Sequence, residues 1–411
     1  MKNTIALFLF LIVIIVALTV NDADARDGFK YKTIHNVTFD IRVSDVLSNP
    51  IGQAVLRVTT EQSDITNAVT GKDGVAAFKI SISDTDNLVS LIIEHPGYDT
   101  KTVYIDGIQD RSIVSRTICL GLNQGKKPKP DRDGDGVPDD ADEFPDDPFL
   151  IGTAHGRYII VYEVAAPETA DADFNDCAAR LDIREYIDNN NMISRIVVTS
   201  RVLAAGARHP GQLWISVLNK EYRLILDVQK DLGGSWNTRK GEAYFEGPVH
   251  TLEIPLEAPI ARDIIEPMPY DPYLVCGGVR QAHLPFVNTK VAGAGPHGGE
   301  LARAILLPAD WAWPYEGTMI EEAYPEFRAW YETKGRENRD WYLHPEIDRV
   351  YKVSPTSILA VYFIKASSGV NYGILLGIIT ISMVTVAGIS TWRKRRYGEQ
   401  RAVSREYVQN Q

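Results

Sequence analysis

The run DRDGDGVPDDADEFPDDP, Asp131 to Pro148, limits what this 411-residue chain can fold into more than any other stretch. It holds nine acidic residues against the single Arg132, a balance of −8 out of −11 for the whole chain. No apolar interior accepts such charge bare, since burying an unpaired carboxylate costs more than its packing returns. The run must therefore interrupt the core, and it needs a neutralising partner. The rest of the chain is close to neutral and has no broad basic patch, which argues against nucleic acid as a partner.

The spacing of the acids points to that partner. Asp131, Asp133 and Asp135 stand at positions 1, 3 and 5 of a loop, Gly136 at 6, Val137 at 7, Asp139 at 9 and Asp142 at 12. Alternate oxygen donors, a glycine at the sharp turn and a backbone carbonyl after it form the ligand pattern of a calcium loop. Carboxylates this close repel one another unless a cation lies among them. The flanks KKPKP and EFPDDP are interrupted by proline and cannot be the helices of an EF-hand. The plain alternative is a solvated acidic linker.

On both sides the chain reads as strands. Residues 27–122 contain TFDIRVSDVL, QAVLRVTTE, VAAFKISIS, LVSLIIEH, KTVYIDGI and RSIVSRTICLGL, separated by turn signals such as NPIG, TGKDG and PGYDT. Period-2 alternation with almost no helical periodicity predicts a small β-sandwich of five to seven strands. NQGKKPKP, 123–130, is a polar linker with two prolines. Residues 150–365 continue with RYIIVYEVA, AARLDIREYI, ISRIVVTSRVLAAG, QLWISVL, YRLILDVQ, VHTLEIPL and LARAILLP. One helix is expected over Pro325–Lys334, with Phe327, Trp330 and Tyr331 on its buried face. The fold class is mainly β with minor helix. Trp311, Trp313, Trp330 and Trp341 are read as core, although exposed they would stack on sugar rings.

Both ends are apolar. Lys2, the run Ile5 to Val20 and the site Ala23-Asp24-Ala25 predict a secretory signal over residues 1–25, with an uncleaved anchor as the alternative. Residues 370–392 lie in an uncharged stretch long enough to cross a ~30 Å hydrocarbon core as one helix. Arg393, Lys394, Arg395 and Arg396 come directly after it and predict a cytoplasmic tail over 393–411. A single-pass membrane protein results, with its N-terminal region extracytoplasmic, in the periplasm or on the cell surface. Cys119, Cys177 and Cys276 suggest neither a metal cluster nor a disulfide framework, and separate, mostly buried thiols are expected. Asn36-Val-Thr38 is a lone glycosylation sequon.

Three resemblances rest on these motifs. PIGQAVLRV, TGKDGVAAF and HPGYDT resemble the carboxypeptidase-regulatory-like, transthyretin-like sandwich, which implies a non-catalytic module with Asp73-Gly74 at a hairpin turn. An immunoglobulin-like sandwich would fit the same strands. The acidic run resembles a thrombospondin type 3 repeat over residues 131–148. That implies calcium held by Asp131, Asp133, Asp135, Val137, Asp139 and Asp142, with Asp140, Asp146 and Asp147 left to assist a second ion. The stretch from YEVAAPETADADFNDC through WAWPYEGTMIEEAYPEFRAWYETKG to NRDWYL resembles the LruC-domain family, which implies a bacterial envelope protein. Ala172 and Cys177 depart from that family's pattern.

ETADADFNDC places Asp171, Asp173, Asn175 and Asp176 together. Their spacing offers a possible second metal cluster, and an Asx-rich turn bonded to its own backbone fits equally. A catalytic set is harder to find. GAGPHGGE lacks the Lys-Ser/Thr of a phosphate loop, there is no Gly-x-Ser-x-Gly or His-Glu-x-x-His, and the eight histidines are scattered. Strand carboxylates such as Glu163 and Glu253 could face a groove without any local motif. The expectation is a non-catalytic, calcium-stabilised surface protein with a binding, adhesion or structural role and a protein or glycan ligand on the outer side. The alternative is a carbohydrate-binding or carbohydrate-active ectodomain. In either case the acidic run is expected to set how the sandwich stands from the larger domain.

Overall fold

Alternation along the strands builds the N-terminal region. β4 (Val75–Ser83) reads VAAFKISIS, and Ala76, Phe78, Ile80 and Ile82 turn inward while the residues between them do not. A computed structural model describes residues 32–60, 64–123, 130–164, 171–276, 279–283, 290–291, 301–308 and 311–351. The expected signal segment, membrane span and cytoplasmic tail lie outside these residues, as does the glycine-rich GAGPHGGE. No helix among the described residues is long and apolar enough to cross a membrane. The chain divides into two units after Val353, and the described residues belong to the first.

The other strands of this region are β1 (Ile34–Asp45), β2 (Val55–Thr59), β3 (Asp64–Val69), β5 (Leu88–Glu94), β6 (Lys101–Asp106) and β7 (Ile113–Leu120). One sheet has the order β4-β1-β7, with β7 parallel to β1. The other runs β3-β2-β5-β6. Phe39 and Phe78 of the first sheet share a core with Leu56 and Leu91 of the second, which makes the expected sandwich. One detail differs from expectation. Asp73-Gly74 closes no hairpin, because β3 and β4 belong to different sheets. Gly74 has φ +72°, and a Cβ there would lie 2.6 Å from the Val43 carbonyl, so the crossing between sheets needs glycine.

The larger region is built on three long antiparallel strands, β8 (Leu150–Tyr162), β9 (Cys177–Asp188) and β10 (Met192–Ala204). β11 (Gly211–Val217) and β12 (Lys220–Ile225) come next, and β13 (His250–Ile254) and β14 (Ile260–Ala261) line the outer edge of β10. β15 (Asp271–Cys276) and β16 (Val279–His283) complete a four-stranded sheet of order β12-β11-β15-β16. β17 (Lys290–Val291) and β18 (Leu301–Ala302) form a short pair, and β19 (Ala304–Pro308) runs along the C-terminal half of β8.

Period 2 sorts the central sheet between two cores. Ile160, Tyr162, Cys177, Ala179 and Leu181 face a core shared with Leu213, Ile215 and Leu274 of the four-stranded sheet. Ile159, Val161, Ala178, Ile305 and Leu307 face a second core rich in aromatic rings. Trp311, Trp313, Trp330 and Trp341 are all buried in it, as expected. The expected helix is shorter, Phe327–Glu332, with Phe327 and Trp330 inside and Tyr331 at the margin. Cys177 and Cys276 are buried and in no disulfide, whereas Cys119 is exposed because β7 turns it away from the sandwich core.

The acidic run does not hold two bodies apart. β3 pairs with β8 through Thr66 and Ala154, so the sandwich sheet continues into the larger sheet. Lys32 bridges Leu306, and the Thr33 amide donates to the Leu306 carbonyl at 3.1 Å. Ile34, Val55 and Val69 belong to the larger region's core. Buried Arg262 donates to the Asn67 carbonyl at 2.8 Å, to Thr66 Oγ1 at 2.7 Å and to Asn191 Oδ1 at 3.1 Å, with its guanidinium carbon 4.9 Å from the Phe78 ring centroid. The geometry of the junction is therefore set by packing and hydrogen bonds as well as by the acidic run.

Candidate metal centres

In the acidic run short side chains fold the backbone onto themselves. Asp131 accepts from the amides of Gly134 at 2.8 Å and Gly136 at 3.2 Å. Asp133 Oδ1 accepts from the Asp135 amide, Asp135 Oδ1 from Val137 at 2.7 Å, and Asp142 Oδ1 from Phe144 at 2.7 Å. These are Asx-type turns, in which Asp131 uses both carboxylate oxygens and Asp133, Asp135 and Asp142 use one each. The other oxygens of Asp133, Asp135 and Asp142 are buried and meet no donor among the described residues. Carboxylate oxygens of Asp131, Asp133 and Asp135 come within 4.8 Å of one another. Burial, with the nearby acid charges, raises the Asp135 carboxyl, and the same causes push Asp142 up to about 6. The arrangement fits a hard cation: Asp131, Asp133 and Asp135 bring carboxylate oxygens together, and Asp133 and Asp135 each keep one buried oxygen with no donor among the described residues.

Two expected ligands need separate mention. Val137 is buried against the core together with Ala141, so the loop is pinned by its apolar side chains. Asp139 Oδ1 accepts from the Arg132 amide at 2.8 Å, and its Oδ2 lies 3.7 Å from the Arg132 guanidinium, which also pairs with Asp146 at 2.6 Å. The geometry thus gathers Asp131, Asp133, Asp135 and Asp142, and turns Asp139 toward Arg132. The loop is fastened to both regions by Glu143, which accepts from Asn67 of β3 at 2.7 Å and from Thr153 of β8 at 2.8 Å.

The second cluster lies at the far end of the same sheet. Alternation along β8 carries Ile159 and Val161 into the aromatic core, and the next residue of that face is Glu163. Glu163 is fully buried, and neither carboxylate oxygen has a hydrogen-bond donor among the described residues. One of its oxygens lies within 4.8 Å of oxygens of Asp171 and Asp173. The turn 171–176 is tightly wound, with Ala172 and Phe174 both at φ +54°. Asp173 Oδ1 accepts from the Asn175 amide at 3.1 Å and its Oδ2 from the Gly317 amide at 2.9 Å. Asp176 Oδ2 accepts from the Val164 amide at 2.7 Å, and Asn175 Nδ2 donates to the Pro314 carbonyl at 3.1 Å.

Burial first, then the neighbouring acids, raises the Glu163 and Asp173 carboxyls far above the ordinary range. Glu316 is raised as well, by burial and then by Asp171 and Asp176, and its Oε2 accepts from Thr238 Oγ1 at 3.0 Å. A Cβ on Gly206 would lie 2.2 Å from Asn175 Oδ1 and 3.0 Å from Glu316 Oε2. All four residues of the sequence cluster are thus brought together, and Glu163 and Glu316 join them. Spacing could not place these two, because they reach the turn from a strand end and a loop far along the chain. The residue before the turn on the aromatic-facing register of β8 was the only local signal for Glu163.

A third group, Glu326, Asp340 and His344, is less enclosed and already paired internally, with His344 Nδ1 2.7 Å from Glu326 Oε2.

Among known protein families, one described as a domain of unknown function, DUF4842, matches residues 297–342, the segment that carries Glu316 and the helix Phe327–Glu332. No curated protein matches the chain in sequence. Among solved structures, a Bacteroides ovatus protein described as a lipoprotein is similar over 73% of this chain and 99% of its own, at 13% identity and TM-score 0.43. Chlorocatechol 1,2-dioxygenase from Pseudomonas putida is similar over 22% of this chain and 61% of its own, at 10% identity and TM-score 0.17. A streptococcal ancillary pilin is similar over 61% of this chain and 56% of its own, at 8% identity and TM-score 0.17. The chain is a mainly β protein whose residues 297–342 match the DUF4842 family.

Proposed function

We propose that this chain is a calcium-stabilised, membrane-anchored protein of the bacterial surface or envelope, non-catalytic, with a binding, adhesion or structural role. The observation that carries the calcium part is the set of buried, donor-free oxygens of Asp133, Asp135 and Asp142 beside Asp131. On this reading the run 131–148 is a thrombospondin type 3-like repeat and residues 150–365 a LruC-like domain. The anchor rests on the uncharged stretch around 370–392 and the basic cluster after it. An outer-side protein or glycan ligand is in keeping with that placement. The tryptophans considered for sugar stacking are buried, so such a ligand would be met by other residues.

A cation that binds only the folded chain stabilises it by about 2.7 kcal/mol at about a hundredfold excess over its Kd. Scanning calorimetry of the full chain in calcium and in chelator should therefore differ by several degrees in Tm. Replacing Asp133→Asn together with Asp135→Asn should remove part of that difference. If the double variant gains as much from calcium as the parent does, the loop is not the site.

A further inference from the structure

We infer that the chain holds a second, enclosed calcium site centred on Glu163, ligated with Asp171, Asp173 and Asp176 and closed by Glu316. This site is separate from the acidic loop, and its assignment does not depend on that loop binding anything. The observation that points to a ligand is Glu163 itself. It is fully buried, its oxygen meets those of Asp171 and Asp173, and among the described residues no N–H or hydroxyl reaches either of its oxygens, its nearest polar neighbours being other acids, Asp176 among them. A carboxylate placed so is strongly unfavourable unless it is protonated or bound to a cation. With acids gathered from three separate parts of the chain, a cation relieves all of them at once.

The donor set selects the kind of ion. Every candidate ligand is oxygen: four carboxylates, the Glu316 carboxylate and the side-chain oxygen of Asn175. Cys177, the adjacent soft donor, faces the opposite core, as period 2 requires after the turn. All-oxygen sites with several carboxylates on winding backbone suit calcium, whereas zinc favours nitrogen and sulfur, and magnesium keeps most of its waters.

The backbone is already arranged around the centre. The amides of Asn175 and Gly317 hold Asp173, and that of Val164 holds Asp176. The Glu163 amide donates to the Arg303 carbonyl at 2.9 Å, which fixes the end of β8 against the start of β19. Gly206 leaves the space into which Asn175 and Glu316 reach. The Ile320 amide donates to the Ala172 carbonyl at 2.9 Å, so the turn also carries the segment that leads into the aromatic core. Binding here would fasten residues 316–320 to the ends of β8 and β9.

The test is equilibrium dialysis of calcium against the full chain, stripped of metal first, in parent, Glu163→Gln and Asp133→Asn/Asp135→Asn forms. Glu163→Gln keeps the shape and removes the charge. It should lose one bound ion per chain, with affinity at that site falling by more than about 100-fold, the upper range for changes one layer outside the ligands. The loop variant should keep that ion. An unchanged ion count and affinity in Glu163→Gln overturns the site, whatever the loop variant does. Loss of ions in the loop variant alone would leave the proposed loop reading standing and remove this one, and loss in Glu163→Gln alone would do the reverse. If Glu163→Gln does not accumulate, Asp171→Asn, whose side chain is only partly buried, repeats the measurement.

Discussion

Asp182 on β9 stands between two basic partners on β8. His155 Nε2 lies 2.7 Å from its Oδ1, and Arg157 Nε lies 3.3 Å from its Oδ2. The hydrogen bond from His155 is the main cause that lowers its carboxyl below the ordinary value of 3.8. Since the folded state holds this proton less tightly than the unfolded chain, the contribution to stability is complete above about pH 4 and is lost as pH falls further. A half-buried pair of this kind contributes about 0.5–1 kcal/mol. Asp182→Asn should therefore unfold earlier in urea than the parent at about pH 5, and the gap should narrow as pH falls below about 4. A gap that does not change with pH would assign the loss to packing and not to charge.

Between single residues and the whole lies the hairpin of β9 and β10. Asp188 Oδ1 accepts from the amides of Asn190 and Met192, both at 2.9 Å, while Asn191 adopts φ +60°. Asp188→Ala should cost about 1–2 kcal/mol by orphaning two amides, seen as a lower urea midpoint with an unchanged slope. The aromatic segment is less forgiving. Trp341 is fully buried and stacks edge-on against Tyr324 and Phe327 at 5.3 and 4.8 Å. Trp341→Ala should cost about 3–5 kcal/mol and should disorder the helix Phe327–Glu332, read as loss of near-ultraviolet circular dichroism.

Elements of this kind were largely legible. VAAFKISIS announces a half-buried strand by alternation alone, and RYIIVYEVA announces one buried on both faces by its continuous apolar run. The acidic spacing announced a loop of alternating oxygens, and the Asx turns around Asp131, Asp133 and Asp135 are how the structure forms it. Partners distant in sequence were not legible. Nothing near Asp139 shows that Arg132 claims it, and nothing near Asp173 shows that Gly317 and Glu316 come to meet it. Local pattern reports which way a side chain points, whereas its partner is decided by how sheets stack.

For the whole molecule, Arg262 is a buried side chain that ties the sandwich to the larger region. It is buried, burial lowers it to about 10, and it stays charged at neutral pH among the Asn67 carbonyl, Thr66 and Asn191. Glu185, the nearby buried acid, accepts from Tyr270 at 2.5 Å. Arg262→Ala would leave these acceptors without their donor and should cost about 3–5 kcal/mol. The expected readout is faster proteolytic cleavage between the two regions, in calcium as well as in chelator. Cleavage at the parent's rate would show that the shared sheet alone suffices.

The pairing of Thr33 with Leu306 joins residues 273 positions apart in the chain. Contacts of such long range are reached late, because the intervening loop must close first. As the chain emerges from its N-terminus, Thr33, just ahead of β1, lacks this acceptor until β19 exists. The last part of the fold to settle is therefore tied to the first part made. A chain shortened before residue 304 would leave its own beginning unfinished, with an edge open to other chains.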